Sequence, residues 1–363
     1  MSGARSMHMN TFRAVLCTAG LLVCAIAQAA GAYKITILRP IAGKTVSAAQ
    51  FGLNAGGLSV GTSGGTGARR ATLWNRQGNG VALAQPRAAI FSRAMGINDC
   101  GLIVGAVDTT GQSDLTGLRA VRWRSPNRYE FILTDNGYDS DALGINERGW
   151  IVGIRFTGAV FNPFVASPSG RVNYPMPLAE GDSFELLSVN RRHEAAGFDS
   201  GDSGTFAVRW TESRGVESLG LLAGGTISAA ASINDHGEIG GVADDANGEF
   251  RAVRWNSQGD IEQLESLENA IYSDAQLGIN NRGFSVGVTI FDGSDPDDFL
   301  SQRATLWDPQ GEAFNLNDLI PPKSGIVLIT ANAINDAGEI YGDAVSAKGE
   351  RFAYLLVPDP RRR

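Results

Sequence analysis

The sequence predicts an all-β fold, a seven-bladed β-propeller of four-stranded blades closed by its N-terminal strand. Three observations predict it. A nine-residue pattern (aliphatic, Asn, two variable residues, Gly, three variable residues, Gly) recurs seven times, with its asparagine at Asn54, Asn98, Asn146, Asn190, Asn234, Asn280 and Asn335. An Ala-x-x-Trp element follows five of the copies and ends at Trp74, Trp123, Trp210, Trp255 and Trp307. Finally, the strand-like segment from Tyr33 to Leu38 has no copy of its own, while the seventh copy lacks one strand.

The Asn-to-Asn steps are 44, 48, 44, 44, 46 and 55 residues, the size of one propeller blade. Within each copy, Asn suits the first position of a type I turn and Gly the fourth, where positive φ makes a three-residue hairpin with a bulge. The aliphatic residue before Asn ends strand one, and the residues before the second Gly belong to strand two. Strand three carries Ala-x-x-Trp. A second turn follows it, as in Asn75-Arg76-Gln77-Gly78, Asn256-Ser257-Gln258-Gly259 and Asp308-Pro309-Gln310-Gly311. A short apolar run then forms strand four, at 129–133, 216–219 and 261–264 for example. The tryptophans read as a repeated core residue, each burying a large apolar area between sheets. Copy three has Ser167 at the aligned place and copy seven Leu356. Copy four has His193 where the others have the turn Gly, so His193 is expected at positive φ.

The ends set the closure. Copy seven offers strands before Asn335, at 339–343 and at 351–357, and then Pro358 and Pro360 stop it. The segment from Tyr33 to Leu38 is the missing fourth strand, and pairing the two ends removes the exposed edges.

Ahead of it, residues 1–29 read as a signal peptide. Arg5 and Arg13 give a positive start, 14–27 is an apolar run and Ala27-Gln28-Ala29 is a small-x-small cleavage site. The expected organisation is therefore 1–29 signal peptide, 30–358 propeller and 359–363 a short basic tail. The mature chain has no membrane span, and its location is extracellular or periplasmic. After cleavage 29 basic and 38 acidic residues remain, a balance of −9, which argues against a nucleic-acid partner. Cys17 and Cys24 leave with the signal, so Cys100 stands alone and forms no intramolecular disulfide. The mature chain reads as a monomer.

The Ile-Asn-Asp-x-Gly-x-Ile-x-Gly core, followed by Ala-x-x-Trp, resembles the probable extracellular repeat of the HAF family. The resemblance runs from about Tyr33 to Pro358 and rests on both elements recurring together. It implies an exported bacterial protein and carries over no catalytic residue. Pro358-Asp359-Pro360 runs straight into Arg361-Arg362-Arg363 without the apolar helix of the sorting tail found in some members, so envelope sorting of that kind is not expected.

Strand order places the Asn-x-x-Gly and post-Trp turns on one face. The connections from strand two to three and between blades fall on the other. The first face is short and uniform, and the second is long, variable and acidic. It carries Asp108, Asp114, Asp135, Asp139, Asp141, Asp199 and Asp202. The expected ligand-binding residues are Asp244, Asp245 and Glu249 in the loop 242–251, and Asp292, Asp295, Asp297 and Asp298 in the loop 289–303. Asp292, Asp295 and Asp297 are the candidate calcium ligands, since Ca²⁺ takes oxygen donors, although none fits EF-hand spacing. No other cofactor is expected.

No Gly-x-Ser-x-Gly, His-Glu-x-x-His or phosphate-loop motif occurs, and the two remaining histidines, His193 and His236, sit in tight turns. The reading is a non-enzymatic binding or surface-interaction module for a glycan or protein ligand. The alternative is a carbohydrate-active hydrolase or lyase with its site at the channel mouth.

Overall fold

The computed structural model describes residues 31–65, 68–111, 117–133, 138–158, 160–291 and 299–362. The signal-peptide segment lies outside these residues, as do Asp114, Asp135, Asp292, Asp295, Asp297 and Asp298. The described residues form seven four-stranded antiparallel sheets, each with its strands in chain order except the last. That sheet runs from Ile326–Ile334 through Ile340–Ser346 and Arg351–Pro358 to Tyr33–Leu38. The closing register pairs Tyr33 with Pro358 and Leu38 with Ala353. Tyr33 is buried between blades six and seven, and Leu38 is buried between blades seven and one, beside Trp74 and Tyr341. The tail folds back on this junction, where Asp359 accepts from Arg361 and lies 3.6 Å from Lys34 Nζ.

The Trp residues are core, as expected from their size and period. Trp74, Trp123, Trp255 and Trp307 are fully buried, and each indole N–H donates to a carbonyl of an inter-blade segment: Arg39, Ala84, Gly220 and Glu265. Blade three corrects one alignment. Strand register sets Ala166, not Ser167, opposite Ile151, the place where Trp123 faces Ile103. Ser167 instead opens the following turn, accepting from the backbone of Arg171. The missing ring is supplied from two residues earlier on the same face. Phe164 fills the space in blade three and Tyr354 in blade seven, and both are fully buried.

The Ala of the repeat has a role that composition alone does not suggest. Its N–H donates to a serine at the start of the next blade: Ala71 to Ser92, Ala120 to Ser140, Ala207 to Ser228, Ala252 to Ser273, and Ala353 to Ser47 across the closure. Blade three has Pro163 at this place and so has no N–H to give.

His193 has φ of 63°, matching the 74–82° of the six glycines at equivalent turns. Its ring stacks on Trp150 at 4.4 Å, and burial, with Arg148 nearby, holds its pKa below the usual value. His193→Gly relieves backbone strain worth up to ~1 kcal/mol but removes a ring contact of similar size. Near-neutral stability is expected at pH 7. Below about pH 6.5 the unfolded imidazole protonates before the folded one, so the wild type loses stability as pH falls. Denaturant melts at pH 7 and 5 should show the variant gaining relative to wild type at the lower pH.

Candidate functional site

The uniform face is held by a closed ring of side chains. Each repeat asparagine points its Nδ2 at the backbone carbonyl of the equivalent asparagine in the next blade. The series runs from Asn54 to Asn98, Asn146, Asn190, Asn234, Asn280, Asn335 and back to Asn54, at 2.7–3.2 Å. The Oδ1 of the same residue accepts from its own turn, as Asn280 does from Arg282 and Phe284. All seven asparagines are buried, so each would cost free energy if left unpaired.

Inside this ring lies the mouth of the central channel, a cavity of about 280 Å³. Its outer rim is the residue after each Asn, and it includes Asp99, Glu147, Arg191, Asp235, Asn281 and Asp336. These polar groups also fasten blades together. Asp99 accepts from Ala55 N, Glu147 from Asp99 N, Asp235 from Arg191 N, Asn281 from Asp235 N and Asp336 from Asn281 N, at 2.7–2.9 Å. Burial, with the charges of Asp99 and Asp235, raises the Glu147 pKa.

Below the rim, bulges in six of the seven innermost strands each aim one side chain at the cavity. These are apolar: Phe51, Met95, Leu143, Leu187, Ala231 and Leu277. The residue that follows is small because neighbouring strands touch there. A Cβ on Gly144 would lie 2.6 Å from the Leu187 carbonyl oxygen.

Further along the innermost strands stand carboxylates, among them Asp141, which the sequence suggested for a variable-face connection and which lies instead within strand Asp139–Ile145. Asp141 is buried and paired with Arg93 of the preceding blade. Asp274 is buried and accepts from Tyr272 and Gln276. Burial raises the pKa of Asp141, Glu185 and Asp274. They belong to no recognisable motif and share only a position along strand one. Among the described residues, no group of three or more His, Cys, Asp or Glu is placed to hold a metal ion.

On the variable face, Asp244 is buried, and its carboxylate accepts from Thr226 N, Thr226 Oγ1 and Ile227 N. It pins the inter-blade connection, as Asp108 does through Ile90, Thr110 and Gly111. Asp245 accepts from Asn247 N and Glu249 N and shapes the hairpin, while Glu249 pairs with Arg251. The structure thus brings Asp244, Asp245 and Glu249 to one hairpin, Asp244 as the last residue of strand Ile239–Asp244, where hydrogen bonds within the fold engage all three. The other four expected ligand-binding aspartates lie outside the described residues.

Asp199 shows a different environment. Its carboxyl is buried, accepts from Leu178 N at 2.9 Å and lies beside that of Asp182. Burial first, then the neighbouring carboxyl, pushes its pKa up to about 6. An acid raised in the folded state costs stability above its folded pKa and none below its unfolded value of roughly 3.9. Asp199→Asn should therefore raise Tm at pH 7.5 and leave it nearly unchanged at pH 4. Thermal melts at the two values check this.

The feature that sets one blade apart is apolar. Twelve large hydrophobic side chains are exposed among the described residues, and six of them fall between Tyr138 and Leu178. These are Tyr138, Phe156, Phe161, Tyr174, Met176 and Leu178, all at the variable-face end of blade three and its exit to blade four. Phe156 and Phe161 stack at 5.3 Å. The Arg155 guanidinium lies 3.8 Å from the Tyr174 ring and 5.7 Å from that of Tyr138. Blade three also has the shortest outer strand, Val172–Asn173. No helix among the described residues is long and apolar enough to cross a membrane.

No family model matches the chain, and no curated protein matches it. Solved structures do. A streptogramin B lyase structure superposes with a TM-score of 0.55 at 11% identity, covering 90% of this chain and 98% of that one. An oligogalacturonate lyase from Vibrio parahaemolyticus gives 0.54 at 11% identity, covering 92% and 100%. A puromycin hydrolase gives 0.55 at 14% identity over 91% of this chain, which matches 52% of that one. At such identities the likeness establishes a shared fold and leaves activity open, so the chain is a seven-bladed β-propeller.

Proposed function

We propose that this chain is an exported, non-enzymatic propeller of the HAF-repeat kind, a binding or surface-interaction module that contacts its ligand through the variable-loop face. One observation carries the reading. Exposed aromatic and aliphatic side chains gather at the variable-face end of blade three, whereas the polar groups of the uniform face are engaged in fastening blade to blade. Exposed apolar side chains gathered at one end of a fold commonly mark an interaction surface.

The test is a glycan and peptide array, with and without calcium, probed with three proteins: wild type, a Phe161→Ser/Met176→Ser variant, and an Asp235→Asn variant of the channel rim. The reading expects binding by wild type and the rim variant, and its loss in the blade-three variant. Binding that survives the blade-three changes and disappears with the rim change puts the site on the wrong face. Cleavage of an arrayed polysaccharide, lost when Asp141 or Glu185 is neutralised, would establish the hydrolase or lyase alternative instead.

A further inference from the structure

We propose that the variable-face end of blade three is a self-association surface, and that its partner is a second copy of this chain related by a two-fold axis. The proposal rests on the binding reading above and names one occupant for that surface.

The first argument is composition and area. Tyr, Phe, Met and Arg are the residues enriched at the centres of protein interfaces, and this blade end presents Tyr138 and Tyr174 against Arg155 on its blade-two side, with the stacked Phe156 and Phe161 on the opposite face of the sheet and Met176 in the connection to blade four. Met176 alone is 72% exposed. With ~200 Å² for each large side chain, 37–72% of it exposed, the six residues offer roughly 550 Å² per copy. Two such patches facing one another bury about 1,000 Å² before their rims are counted, the scale at which a specific though weak interface begins.

The second argument is charge. The patch is polarised across blade three. On the flank toward blade two lie Arg155 and Arg119, whose guanidinium donates to the Tyr138 carbonyl, with Asp139 partly offsetting them. On the flank toward blade four lie Glu180 and Asp182, in the connection to that blade, and the hairpin residue Asp202. A two-fold axis through the middle of the patch sets each basic flank against the partner's acidic flank. An isologous contact of this kind requires a self-complementary surface. A uniformly acidic patch, the expectation from the net charge of −7, would repel its own copy.

The experiment is sedimentation equilibrium of the full mature chain across the micromolar range. Wild type is expected to show a monomer–dimer equilibrium, and Met176→Asp, at an exposed position the fold does not need, is expected to be monomeric. Arg155→Glu alone and Glu180→Arg alone should each weaken the dimer at least tenfold. An equimolar mixture of these two variants should recover it, because each contact in the mixed dimer regains opposite charges. Circular dichroism confirms that each variant is folded. A wild type that stays monomeric throughout overturns the proposal, as does a dimer that Met176→Asp leaves intact. Failure of the mixture to recover association overturns the two-fold arrangement. If the wild type is monomeric yet binds an arrayed glycan or peptide through Met176, the self-association proposal fails and the binding-module reading stands.

Discussion

Asn280→Ala is expected to destabilise the protein by about 3–4 kcal/mol, more than most single substitutions. Three hydrogen bonds end on this side chain: two into its own turn and one across to the Asn335 carbonyl. Each is worth roughly 1 kcal/mol net, and leaving their buried partners unsatisfied adds to the loss. Asn280→Asp isolates the contact between blades. It keeps the two acceptor bonds of the turn and turns an oxygen toward the Asn335 carbonyl, with no donor between them. A loss of roughly 3 kcal/mol is expected at pH 7. Asn75→Ala is the control, because Asn75 makes only the local turn bonds, to Gln77 and Asn79, at an exposed site. It should cost about 1 kcal/mol. Urea melts of the three variants measure the differences. Equal losses for Asn280→Ala and Asn75→Ala would show that the ring between blades contributes nothing.

Removing residues through Leu38 should have a still larger effect. The truncation uncovers the whole Arg351–Pro358 edge and leaves the blade-seven core open. Tyr33 and Leu38 are buried, and such side chains contribute roughly 1.5–3 kcal/mol each by burial alone. Adding a six-residue ladder, the deficit reaches roughly 5 kcal/mol or more, comparable with the whole stability of a typical domain. The truncated chain is expected to lose its cooperative melt and to aggregate through the open edge. Light scattering together with near-ultraviolet circular dichroism reads both effects.

Local rules made much of the fold legible in the sequence. Asn and Gly at fixed spacing specify a hairpin turn from their own conformational preferences, and His193 could be assigned positive φ from the six glycines that share its place. The terminal strand was legible because one copy came up a strand short. What the sequence left hidden depends on contacts far along the chain. The Asn ring joins residues 44 to 281 positions apart, and a turn asparagine looks the same with or without it. The serine acceptors Ser47, Ser92, Ser140, Ser228 and Ser273 recur six or seven residues before the Asn, a signal masked because bulges shift the count. Bulges also explain how Phe51, Leu143 and Leu277 reach the channel while their neighbours pack between sheets.

The candidate site was legible only in outline. Acidic loops marked the variable face, yet Asp244 and Asp245 prove to hold those loops in shape. A carboxylate that accepts backbone N–H bonds looks, in sequence, like one left free for a ligand. The aromatic cluster escaped notice because Tyr138, Phe156, Phe161 and Tyr174 come from separate segments and match no spacing. Blade three was recognisable as irregular from its missing Trp. The structure adds that Pro163, Ala166 and the two-residue outer strand depart from the repeat in the same blade that bears the patch.

The central structural claim is the closure of the ring in one register, and a single cross-link tests it most directly. Lys34 and Val357 are paired across the closing strands, and residues so paired lie within disulfide reach. In a Cys100→Ser background, the Lys34→Cys/Val357→Cys chain should oxidise to an intramolecular disulfide, seen as a mass lower by two hydrogens and a raised, reductant-sensitive Tm. Free thiols after oxidation of the folded monomer, or a bridge that forms only between chains, would contradict the account.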